Sequence, residues 1–205
     1  MASASIVGRS EDPQRDPYVV MAYNDLGMHC MNNDFSQMMI LPPYNTLHAQ
    51  VIRRGVEPDI IETGVTVTYE LPSNTHATDK TNFWEYAPAL LGVTLPPDVG
   101  LGGHGMFGTM IRNSARNDFE AVGIPVAPID DDGRENPYPL AFVTVKLNST
   151  GAIIAQTQAV VPVSWEMSCN LCHTTPGESV ATSILKSHDR LHGTSLINQQ
   201  PVMCA

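Results

Sequence analysis

The chain is short of positive charge: eleven Lys and Arg residues stand against twenty-one Asp and Glu, for a formal net charge of −10. Such a surface repels phosphate backbones and anionic headgroups, so no nucleic-acid partner is expected. Long apolar runs are missing as well. None approaches the roughly 18 residues that a membrane-spanning helix needs, so no transmembrane segment is expected. Aromatic residues make up only 6%, while prolines number sixteen, a balance that suits many loops around a modest core. At 205 residues the chain is still long enough to bury a real core as one domain, or one domain with an appendage. No basic stretch followed by a long apolar one opens the sequence, so no secretory signal is visible there.

Against this background the β signal stands out. "YVVMAY" (18–23), "NTLHAQVIRRG" (45–55) and "GVTVTYEL" (64–71) are β-rich, the last with Val65, Val67 and Tyr69 alternating against Thr66, Thr68 and Glu70. The second and third are expected to pair as a hairpin through "VEPDIIET". "DFEAVGIPVAPID" reads as a strand pair. "AFVTVKL" and "AIIAQTQAVVPV" read as a hairpin turning at Asn148 to Gly151. The expected fold is mainly β: an Ig-like β-sandwich over residues 18–165, preceded by a polar arm (1–17) and interrupted by a loop-rich insertion (72–118). Within the insertion "KTNFWEYAPALLG" predicts a short helix stopped by Gly92. Gly100, Gly102 and Gly105 form a G-x-G-x-x-G pattern, but two prolines stand where its strand belongs, which argues against a dinucleotide site. "DDDGREN" lacks the spacing of a calcium loop and reads as a solvated turn.

After Trp165 the character changes, and residues 166–205 read as a separate, short helical segment. Thr175, Pro176 and Glu178 predict a capping-box helix start, Gly193 a stop, with Ile184, His188, Leu191 and His192 sharing a face. Just ahead lies Cys169-Asn170-Leu171-Cys172-His173. C-x-x-C-H is the spacing of c-type haem attachment, in which two thiols bond the macrocycle and the adjacent His173 is the proximal iron ligand. With four cysteines and seven histidines in the chain, accident is a weak source of this pattern. The alternatives are a Cys2His2 zinc site built from Cys169, Cys172, His188 and His192, a redox dithiol, which would need a helix starting at the motif, and a plain disulfide, which leaves His173 without a role.

A second cluster, "GMHCM", places Met28, His29, Cys30 and Met31 in succession. Sulfur and imidazole suit copper, with His48 as the nearest further histidine. In an extended strand, however, Met28 and Cys30 face away from His29 and Met31, so one ion cannot collect all four, and a copper site is not favoured. His192 or His29 is then the candidate distal iron ligand, with His188 behind them. His76 and His104 are expected at the surface.

"YNDLGMHCMNNDFS", "ILPPYNTLHAQVI", "KTNFWEY" and "AVVPVSWEMSCNLCH" together resemble the N-terminal part of a family of predicted multihaem cytochrome c proteins, across most of residues 18–205. The resemblance implies a covalent haem c at Cys169, Cys172 and His173, a second C-x-x-C-H opening at Cys204, further haem domains in a longer chain, and a redox partner protein. A covalent haem at this motif suits an electron carrier ahead of a catalyst, and points to a periplasmic or extracellular location, because haem is attached covalently to exported chains.

Overall fold

Runs of β-branched residues with period two become strands along most of the chain, and the protein is mainly β. The structure, a computed structural model, describes residues 16–203. Almost all of the expected polar arm, and Cys204 with its expected second motif, lie outside the described residues. From the N-terminus come β1 (Tyr18–Asn24), β2 (His29–Cys30), β3 (Met38–Met39), β4 (Asn45–Arg53), β5 (Asp59–Ile60), β6 (Val65–Glu70) and helix α1 (Phe83–Leu91). Then follow β7 (Phe107–Thr109), β8 (Ile111–Asn113), β9 (Asp118–Ile124), β10 (Leu140–Leu147), β11 (Ile153–Val160), β12 (Val163–Ser164), helix α2 (Val180–His192) and β13 (Val202–Met203).

Two antiparallel sheets carry the architecture. One has the order β1-β4-β9-β8, with β5 also bonded to β4; the other runs β11-β10-β6-β7. Val20, Leu47, Ala49, Val51, Phe119 and Ala121 of the first sheet share one buried cluster with Val65, Val67, Tyr69, Ala141, Val143 and Val145 of the second. Each larger aliphatic side chain in it contributes about 1.5–3 kcal/mol relative to exposure. The buried Tyr69 hydroxyl donates to the Gly105 carbonyl at 2.8 Å, and burial pushes its phenol up from the ordinary value.

Three connections differ from expectation. β4 and β6 do not form a hairpin: β4 turns back on β5 through Ile52 opposite Ile60, and the chain then crosses at Gly64, whose φ is +75°, into the other sheet. "DFEAVGIPVAPID" supplies one strand, β9, because its prolines lack the N–H that a returning ladder would need. The 72–118 insertion is part of the sandwich, since β7 extends one sheet and β8 the other. The crossing falls at buried Met110, whose N–H donates to the Val67 carbonyl at 2.9 Å. The hairpin of β10 and β11 forms as its turn residues imply, and α1 ends at Gly92 in the left-handed region.

The Gly-rich loop of the insertion lies directly on the backbone of β9. A Cβ on Gly102 would stand 1.9 Å from the Val122 carbonyl oxygen, and one on Gly100 2.1 Å from that of Gly123. These glycines therefore serve close backbone packing. Gly102→Ala is expected to lower stability by about 2–3 kcal/mol, read as a fall in the urea midpoint. Gly108→Ala, whose Cβ meets Tyr69 only at ordinary contact distances, should shift it by less than about 1 kcal/mol.

Candidate functional site

The C-x-x-C-H motif leaves the sandwich through a very short ladder. β12 pairs in parallel with β2, Val163 opposite His29 and Ser164 opposite Cys30, so the strand that leads into the cysteine motif is tied to His29 and Cys30. Beyond Trp165 the backbone tightens: Met167 N–H donates to the Trp165 carbonyl and Cys169 N–H to the Met167 carbonyl, both at 2.8 Å. Cys169–Leu171 is one 3-10 turn. The Cys169 carbonyl then accepts from Cys172 N–H at 3.2 Å and His173 N–H at 2.9 Å. Both thiols and the imidazole thus hang from one turn closed on a single oxygen. Cys169 is half-buried, Cys172 exposed, and both are free thiols. Leu171 between them is 80% exposed, an apolar side chain with nothing packed over it.

Cys169 opens onto a groove of about 260 Å³ whose wall includes Asn32, Met38, Trp165, Met167 and Ile184. One side is the loop of residues 31–41, held by buried Asn32, whose Oδ1 accepts from Ile40 N–H at 2.9 Å and Leu41 N–H at 3.0 Å. The other is α2. Its first turn is fastened to the loop where the Gln37 side chain bonds both Thr182, at 2.9 Å, and the Ser179 hydroxyl. The tail returns through β13, which pairs in parallel with β3.

Helix α2 starts later than the capping-box pattern predicts. Gly177 sits at φ +79°, which no right-handed helix passes through, so Ser179 is the cap and accepts from Thr182 N–H at 3.0 Å. Glu178 pairs instead with Lys186. The stop at Gly193 is as expected. Ser183 and Leu185 are the buried residues of α2, and the face expected to carry the histidines is divided: Ile184 and His188 are half-buried, whereas Leu191 is 71% exposed and His192 lies in solvent.

The other predicted side chains are dispersed. His188 and His192 lie ring to ring at 4.5 Å, and His188 Nδ1 is 3.0 Å from the Thr194 hydroxyl. No three of Cys169, Cys172, His188 and His192 bring ligand atoms within 4.8 Å of one another in this structure. His29 is half-buried, with Nε2 3.0 Å from the Pro42 carbonyl. Met28 is exposed and Met31 fully buried, so "GMHCM" divides between solvent and core. His76 and His104 are half-buried, His76 beside Asp79 and Asp131 and His104 against the Val122 carbonyl. His48 is buried beside Asp118 and Glu120, and among the described residues this is the one group of three His, Cys, Asp or Glu side chains whose ligand atoms all lie within 4.8 Å of one another. Asp118 and Glu120 carry no signal in the sequence beyond a D-x-E alternation, which means nothing until the strand beside it is known. The groove residues Asn32, Trp165 and Met167 were equally silent.

Asp34 closes the outer rim of the groove. Its partial burial works against ionisation, but the Asn82 amide and the Ser36 N–H and hydroxyl outweigh it, holding the carboxyl below the ordinary 3.8. Asp189 is lowered too, chiefly by the Thr194 hydroxyl and further by the N–H groups of Ile197 and Leu196. Depressed carboxyl values mean stability that is fully present above the unfolded value and lost as pH falls through the folded one. The groove is therefore expected to be unaffected from neutrality down to about pH 5 and to loosen below 3.8, followed by tryptophan fluorescence. Asp34→Asn should flatten part of that acid transition.

No protein-family model matches the chain, and no curated protein matches it either.

Proposed function

We propose that this chain is a c-type cytochrome segment working in extracytoplasmic electron transfer, with one haem held by Cys169 and Cys172 and with His173 as its proximal ligand. The observation that carries this reading is the turn at Cys169–Leu171, which presents two free thiols and the following imidazole from a single closed loop of backbone. The donor set fits the group. Each S–H adds across one vinyl C=C to give a thioether, so attachment consumes no oxidant or reductant. The iron supplies reversible one-electron chemistry, and the protein's part is to fix its ligands and surroundings, which set the potential.

The groove beside Cys169, at about 260 Å³, is smaller than the roughly 300–1,000 Å³ of sites that enclose a small molecule. It suits a macrocycle that keeps an edge exposed to a redox partner, and the bare Leu171 is an apolar surface such a group would cover. His192, solvent-exposed at the end of α2, is free to serve as distal ligand, whereas His29 has Nε2 engaged by the Pro42 carbonyl. The resemblance to multihaem cytochromes supports the same reading, and with it export and a redox partner.

An absorption spectrum of the chain, exported in a host competent for haem attachment, tests this. One haem per chain is expected, with a Soret band that survives acid-acetone extraction and is lost when Cys169 and Cys172 are both changed to Ser. A colourless chain would overturn the proposal, in favour of a zinc module where it releases zinc to a chelator and that zinc is lost on changing Cys169 and Cys172 to Ser. In the haem protein, His192→Ala is expected to convert a low-spin spectrum to high-spin, and His29→Ala to leave it low-spin.

A further inference from the structure

On the first sheet, far along the sequence from the C-x-x-C-H turn, His48 of β4 stands directly opposite Glu120 of β9. Asp118 lies two residues away on the same face, opposite to the one that carries Leu47, Ala49, Phe119 and Ala121 into the core. His48 is 1% exposed and Asp118 2%, because the Tyr23 ring stacks on the imidazole at 5.2 Å. The three side chains offer ligand atoms within 4.8 Å of one another.

The polar bookkeeping of this cluster does not close with protein atoms. His48 Nε2 lies 3.3 Å from Asp25 Oδ2, and a carboxylate only accepts, so the ring proton belongs on Nε2. Nδ1 then carries a lone pair. It is buried without a hydrogen-bond partner, yet stands 3.2 Å from Asp118 Oδ2, whose sister oxygen Oδ1 is also buried and unpartnered. A lone pair facing a carboxylate is repulsive. Nδ1 makes no hydrogen bond to Asp118 despite this distance, and a buried polar atom without one is costly. Charge leaves the same gap: Asp25, Asp118 and Glu120 are offset locally by Arg116, 3.5 Å from Asp118.

We propose that His48 Nδ1, Asp118 and Glu120 bind one divalent transition-metal ion, with Asp25 as a positioning residue. A carboxylate on the far nitrogen of a metal-bound histidine fixes the tautomer and raises its basicity. The ligand carboxylates are steadied in turn: Asn113 donates to Glu120 at 2.8 Å, and the Tyr23 hydroxyl reaches Asp118 at 3.4 Å. One imidazole with two carboxylates suits first-row ions such as Zn2+ or Mn2+ better than Mg2+, which prefers oxygen ligands alone. The ion would clip β4 to β9 and, through Asp25, steady the loop that leads into His29.

The test uses the full chain carrying Cys169→Ser and Cys172→Ser, so that the cysteine motif can take no metal, beside the unaltered protein. After EDTA treatment, Zn2+ is titrated by calorimetry and Mn2+ by its paramagnetic signal. One saturable equivalent is expected in the doubly substituted chain and at least one in the unaltered protein, with a rise of several degrees in Tm under excess Zn2+ and no comparable response to Mg2+. Because His48 and Asp118 are buried and their variants risk misfolding, the weight falls on Glu120→Gln and Asp25→Asn. Each is expected to weaken binding about 10- to 100-fold while the metal-free Tm stays close to that of the parent. Absence of saturable binding in the EDTA-treated chain, or affinity unchanged by Glu120→Gln, would overturn the proposal.

Discussion

The junction between the sandwich and the C-terminal segment depends on one carbonyl. Pro162 O accepts both the His29 N–H, at 3.1 Å, and the Asn45 side-chain N–H, at 2.8 Å. A two-residue parallel ladder between β2 and β12 is too short to hold its register unaided, since each of its hydrogen bonds contributes only about 1 kcal/mol net. Asn45 supplies the rest. It is fully buried, its Oδ1 receives the Thr46 N–H at 2.9 Å and the Asn24 amide, and it thereby ties β1, β4 and the approach to β12 together. Losing any of these bonds would strand a buried polar group, which is why the junction holds its position. From that junction the chain has only Trp165 to Ser168 to traverse before the cysteine turn begins.

The two candidate sites follow from different physics. The cysteine turn is local: a C-x-x-C-H sequence closed by hydrogen bonds to the Cys169 carbonyl would present its thiols in much the same way on many scaffolds. What the fold adds is the groove beside it, built where the Asn32 loop and the first turn of α2 are fastened through Gln37. The histidine and carboxylate cluster is non-local. It exists because β4 lies beside β9 in one register, and a slip of one residue would carry His48 into the core and Asp118 away from it.

Much of the fold was legible in the residues. Val65, Val67 and Tyr69 alternate as a half-buried strand does, Asn148 to Gly151 make a turn, and Gly92 and Gly193 stop helices because glycine alone adopts the left-handed region without cost. Partner choice was not legible. β4 and β6 are each good strands, and nothing in either says that they belong to different sheets. That depended on β5 folding back first and on Met110 bridging the sheets inside what reads as a loop. The start of α2 was misread for a similar reason: Thr175, Pro176 and Glu178 satisfy a capping pattern, yet Gly177 at positive φ breaks the helix before it can form. The prolines ahead of the insertion's glycines argue against a dinucleotide site, but only the structure shows what Gly100 and Gly102 do, which is to pack on the backbone of Val122 and Gly123.

The sequence by itself determined the β character, the helix stops and the thiol and imidazole spacing at 169–173, because each arises from contacts within a few residues. Tertiary structure alone decided that His29 and Cys30 lie beside the strand leading into the cysteine motif, that His192 stands in solvent while His29 is engaged, and that His48 meets Asp118 and Glu120. Those relations join residues up to about 135 positions apart. Sheet pairing selects them through burial and register, which no short window of sequence contains.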